Sequence, residues 1–289
     1  MTPDAVSKAD EPPVPVRRLL TLAIAGFAAL LTVGMIFGAQ TAGPGSARVP
    51  YAVVIFGVQL LFILSWTMAM RPPAARVIVA VCVVVAVAAD LAAVWPKVAT
   101  LAPLGYAAVG GFVVGVVAQL IRRADRLRVT ESLGTTLVIV VGVVSYATLI
   151  VLTRLPSGAQ AITVCLAATG VSLVVARLVD VVAPWPRLAP QVPRGAIGVV
   201  AGAMVGTLAS ALLGVYVLPF SPASGAIVGL VAASAAVMAD LGAGYAEAGR
   251  QMAGDPPTMW IARHMQGPLG GFALGAPVAY VMSVMFLVP

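Results

Sequence analysis

Apolar runs recur along the whole chain with only short polar breaks between them, and each is long enough to cross a bilayer core, which takes about 20 residues. Reading the runs between charges and Pro/Gly breaks predicts nine helices, near 19–40, 51–70, 76–95, 101–121, 133–153, 159–179, 196–218, 224–245 and 268–288. The breaks leave no room for a soluble domain, so the pattern predicts a single all-α, polytopic membrane domain over 17–289. Residues 1–16, MTPDAVSKADEPPVPV, are polar and proline-rich and predict a disordered tail. Arg17 and Arg18 precede a first run that is long for a signal-peptide core, so it is read as a retained span.

Composition agrees with this pattern. The 289 residues are 61% hydrophobic and 9% charged, with a mean hydropathy of +1.06, which excludes a water-soluble globular domain. The formal net charge of +7 could signal nucleic-acid binding, but the basic residues fall in short segments between spans. There they set topology and meet anionic lipid headgroups, so membrane lipids are expected as partners and nucleic acid is not. High Ala, Val and Arg usage with little Lys fits a GC-rich bacterial genome and hence the inner membrane.

Nine spans put the termini on opposite sides, and the basic residues then separate cleanly. Lys8, Arg17, Arg18, Arg71, Arg76, Arg122, Arg123, Arg126, Arg128, Arg177, Arg187, Arg194, Arg250 and Arg263 share one side, against Arg48, Lys97 and Arg154 on the other. A missed or invented span would mix the two sets. The positive-inside rule makes the N-terminus cytoplasmic and the C-terminus external, with Asp180–Gly195 and Ala246–Gly267 as polar cytoplasmic connections. Gly110, Gly111 and Gly115, then Gly202 and Gly206, then Gly225 and Gly229 stand at helix-packing spacing. Cys82 and Cys165, each in mid-run without a second thiol or His nearby, read as small buried hydrophobes.

Ionisable groups at membrane depth carry the candidate chemistry. Asp90, in VAADLAAVW, reads either as a functional carboxyl or as an interfacial one near Trp95 and Lys97. Arg177 and Asp180 are three residues apart, on one helical face, where they can pair. Asp240 ends an apolar run, and Glu247, Arg250, Asp255, Arg263 and His264 follow it. Oxygen ligands of this kind suit a hard divalent cation, and the arginines suit phosphate, although a solvated loop also collects charges.

In this order the features resemble the C-terminal half of the phosphatidate cytidylyltransferases, membrane enzymes that make CDP-diacylglycerol. That family has a Gly-Arg pair ending one span and a Ser-Pro-Lys-Lys-Thr-Trp-Glu-Gly motif opening the next. A Gly-Asp-Leu-x-Glu-Ser motif follows, then His-Gly-Gly-x-x-Asp-Arg-x-Asp-Ser before Ala-Pro-Val-x-Tyr. Here VARLVD supplies Ala176 and Arg177 for the first, and RLAPQVPRGAIGVVAG resembles the second through Pro193, Arg194 and Gly202. ADLGAGY resembles the third through Asp240 and Leu241, and GAPVAYV the last through Ala276, Pro277, Val278 and Tyr280. The resemblance covers 158–289 best. Ala196, Ile197 and Gly198 replace the Thr, Trp and Glu of the second motif, and Ala243 and Gly244 replace the Glu and Ser of the third. The paired aspartates and the arginine of the fourth fall on Gly267, Gly270 and Pro268.

The resemblance implies transfer of the CTP α-phosphate to phosphatidate with Mg²⁺. It implies Asp240 as the catalytic carboxylate, Asp240 and Asp255 as metal ligands, and Arg177, Arg194, Arg250 and His264 as phosphate contacts. With the paired aspartates gone, it also implies a degenerate metal site. CTP, a second copy of the chain and another membrane protein are the further partners weighed. Beside the enzyme stand two other readings, a non-catalytic lipid-binding or complex-forming membrane protein and a small-molecule transporter.

Overall fold

The computed structural model describes residues 14–96, 98–121, 129–255 and 259–286. Lys8, Lys97, Arg122, Arg123, Arg126 and Arg128 lie outside them. Among the described residues nine helices are long and apolar enough to cross a membrane. They are α1 (Arg18–Gln40), α2 (Val49–Met70), α3 (Ala75–Val94), α4 (Ala102–Ile121), α5 (Val129–Leu152), α6 (Gly158–Val182), α7 (Ala196–Tyr216), α8 (Pro222–Met252) and α9 (Trp260–Phe286). Strands β1 (Arg187–Ala189) and β2 (Val192–Gly195) form an antiparallel hairpin between α6 and α7.

Two departures from the expected spans matter for the site. α8 runs on to Met252, and α9 starts at Trp260 with Pro268 and Pro277 inside it. Most of the expected 246–267 loop is therefore helix. Polar side chains extend α8 because they satisfy one another along it: Arg250 and Gln251 both bond Glu247, three and four residues back. At its other end α8 starts at a capping box between Ser221 and Ser224, with Pro222 in the first turn.

The helices form two groups joined by α9. α2, α3, α4 and α5 pack together, as do α1, α6, α7 and α8, and α9 touches members of both. α5 is the most enclosed span, and its Tyr146 hydroxyl donates to Leu269 O of α9 at 2.6 Å. α6 and α7 meet through small residues: a Cβ at Gly202 would stand 2.5 Å from Ser172 O, and one at Gly206 2.7 Å from Ala168 O. Gly225 and Gly229 of α8 lie as tightly against Ser210 of α7. The expected close packing is present there and at Gly111 and Gly115, whereas Gly110 faces no neighbour. Cys82 and Cys165 are free and buried.

Candidate functional site

α8 presents one stripe to the interior near its end: Asp240, Ala243, Gly244, Glu247, Ala248 and Gln251 recur at three- and four-residue steps, the helical period. These residues floor a cavity of about 380 Å³, in the size range of small-ligand pockets. Arg177 of α6, Arg194 of β2, and Arg263, His264 and Gly267 of α9 line it as well. Leu20, Thr21 and Ile24 of α1 form a side that descends two turns into the bundle, after Arg17 at its top. The cavity thus has a basic end and an apolar flank.

Asp240 lines the cavity and is 1% exposed. Arg177 Nη2 donates to its Oδ1 and Arg194 Nη1 to its Oδ2. Arg194 is itself 2% exposed, and its Nε pairs with Asp180 Oδ2 at 2.5 Å. Asp180 Oδ1 accepts from the Gly195 N–H at 2.9 Å. Two arginines and two aspartates thus form a buried chain, Arg177–Asp240–Arg194–Asp180, that joins α6, the hairpin and α8. Burial disfavours the charge of Arg194, but Asp240 and then Asp180 outweigh it and raise its pKa above the ordinary arginine value. Arg177 and Asp180, expected to pair with each other, each pair elsewhere, because the approach of α8 and β2 offers better-placed partners.

α9 reaches this network through a missing side chain. A Cβ at Gly267 would lie 1.9 Å from Asp240 Oδ1 and 3.3 Å from Arg177 Nη2, so only glycine lets α9 close over the pair. Gly267 is one of the positions on which the resemblance would place an aspartate.

The site brings together Asp240, Arg177, Arg194 and His264 of the expected set. Arg250 instead bonds Glu247 Oε2 at 2.7 Å, contacts Met70 Sδ and does not line the cavity. Asp255 is exposed beyond the end of α8, where its N–H donates to Arg250 O, and it does not line the cavity either. Both oxygens of Asp240 are taken by arginines, and among the described residues no group of three His, Cys, Asp or Glu side chains could hold a metal ion. The residues present do not fit the Mg²⁺ that the resemblance implies.

They do fit an anion. Arg177 Nε and Arg194 Nη2 are buried donors that meet no acceptor among the described residues. Four arginines line the cavity against the carboxylates of Asp240 and Glu247. Glu247 and Arg263, expected beside Asp240, both line the cavity, and Arg17 is a lining charge that the sequence pattern did not connect with it.

Asp90 is buried well inside the other group of helices. Gln59 Nε2 donates to its Oδ1 at 2.8 Å and to Val143 O at 3.1 Å, so its side chain faces the bundle. No protein-family profile matches this chain, and no curated protein matches it.

Proposed function

We propose that the protein is a multi-pass membrane protein whose cytoplasmic-side cavity binds the phosphate of a phospholipid headgroup without a divalent metal, in phospholipid metabolism. The observation that carries this reading is the pair of buried guanidinium donors, Arg177 Nε and Arg194 Nη2, that meet no acceptor among the described residues, on two arginines that line the cavity and whose other nitrogens engage both oxygens of Asp240. Buried cationic donors are costly when left unmade, and phosphate oxygens are strong, charge-assisted acceptors for them. The apolar side chains of Leu20 and Ile24 suit the glycerol and first acyl carbons of a lipid better than a free ion. Nucleotidyl transfer, the activity the resemblance implies, would need a metal, and the engagement of both Asp240 oxygens by arginines favours a binding role over it.

Calorimetric titration of the purified protein with dihexanoyl phosphatidate, inorganic phosphate and CTP, in EDTA and in Mg²⁺, tests this. Phosphatidate should bind equally well with and without Mg²⁺ and more tightly than inorganic phosphate, and Arg177→Met should weaken it at least about tenfold. Preference for inorganic phosphate would assign the site to a soluble ion. Mg²⁺-dependent CTP binding with CDP-diacylglycerol formation would overturn the reading in favour of the enzyme.

A further inference from the structure

The segment ahead of α1 is part of this cavity. In PPVPV, Pro12, Pro13 and Pro15 have no N–H and favour extended backbone, so over residues 12–15 only Val14 can donate from its main chain. That N–H reaches Pro190 O, in the hairpin turn, at 3.0 Å. Val14 O in turn accepts from Arg187 Nη1 of β1 at 2.9 Å. Nη1 also lies 3.5 Å from Val192 O of β2, so one guanidinium ties the segment to both strands. Two bonds at one residue, between prolines that have no N–H to donate, form a clasp at a single point.

What the clasp holds is a wall of the site. Val14, Pro15 and Arg17 line the cavity, while Arg187 does not. Arg17, three residues after the clasped one, lines the cavity together with Arg177 and Arg194, the two arginines with unmatched donors.

We propose that Arg187 is a positioning residue for the anion site: by holding Val14 on the hairpin it fixes the segment that brings Arg17 to the cavity. This rests on the phosphate-binding reading above. Arg187 never meets the ligand, and its influence runs through the main chain of Val14.

The test titrates wild type, Arg187→Met and Arg187→Lys with dihexanoyl phosphatidate and, in parallel, follows a spin label at Pro15→Cys in each background. Cys82 and Cys165 are buried and leave that label selective. Arg187→Met should weaken binding about tenfold, the scale of one lost hydrogen bond to a charged group, and turn an immobilised label mobile. Arg187→Lys, which keeps a donor, should recover part of both. Wild-type binding that Arg187→Met leaves unchanged, or a label that stays immobilised, overturns this inference alone. A wild type that binds no phosphatidate overturns the phosphate reading and this inference with it.

Discussion

Asp240 changes meaning once its neighbours are known. A carboxylate near the end of an apolar run, followed by charges, suggests a metal ligand, and nothing in the one-dimensional pattern says that Arg177 and Arg194 will arrive from 63 and 46 residues away. In the fold it is the counter-charge that lets two guanidiniums stay buried. Removing one partner of a buried pair strands the other, at a cost of about 3–5 kcal/mol. Asp240→Asn should lose about that much stability in a denaturant titration in detergent, while Asp255→Asn, at an exposed site outside the cavity, should change little. Equal stability of Asp240→Asn and wild type would contradict the structural role.

At the scale of elements, the apolar runs were legible because burial in lipid demands unbroken helices about 20 residues long, a requirement written directly into hydropathy. Each of the nine expected spans has its helix among the described residues, and the close packing at Gly202, Gly206, Gly225 and Gly229 is present. The helix ends were not legible, because polar residues that normally mark a loop continue α8 through Glu247, Arg250 and Gln251, and because Pro268 lies inside α9. The site lies at those ends, so it was read only in part. Asp240, Arg177 and Arg194 stand at motif positions and His264 among the charges that follow Asp240, whereas the main-chain clasp at Val14 falls in a segment expected to be disordered. The glycines at 267 and 270 separate packing from motif: Gly267→Ala should cost about 1–3 kcal/mol by overpacking against Asp240. Gly270→Ala, whose Cβ would first meet Trp66 Cζ2 at 3.4 Å, should be nearly neutral by the same measurement. Equal effects at both positions would mean that α9 does not depend on its approach to the Asp240 pair.

For the whole molecule, the division of basic residues finds its counterpart in space. Arg17, Arg177, Arg194 and Arg263 meet at one cavity, and Arg250 reaches Met70 beside Arg71. Arg154 donates to Ala93 O and Pro96 O, at the other end of α3. The positive-inside rule assigns the basic end to the cytoplasm. Maleimide labelling in sealed inverted vesicles should therefore modify Gln191→Cys rapidly and Ser46→Cys only after permeabilisation, and the reverse pattern would place the cavity outside. α1, α6, the hairpin, α8 and α9 put the apolar flank of α1 and the basic residues in one cavity, the arrangement an amphiphilic phosphate requires. The most direct measurement is a cryo-EM map of the protein purified with its native lipids in EDTA. The account predicts phosphate density within about 3 Å of both Arg177 Nε and Arg194 Nη2, with a tail along Leu20 and Ile24. Protein side chains or water alone at those donors, or density bridging the oxygens of Asp240 in place of the arginines, would contradict it.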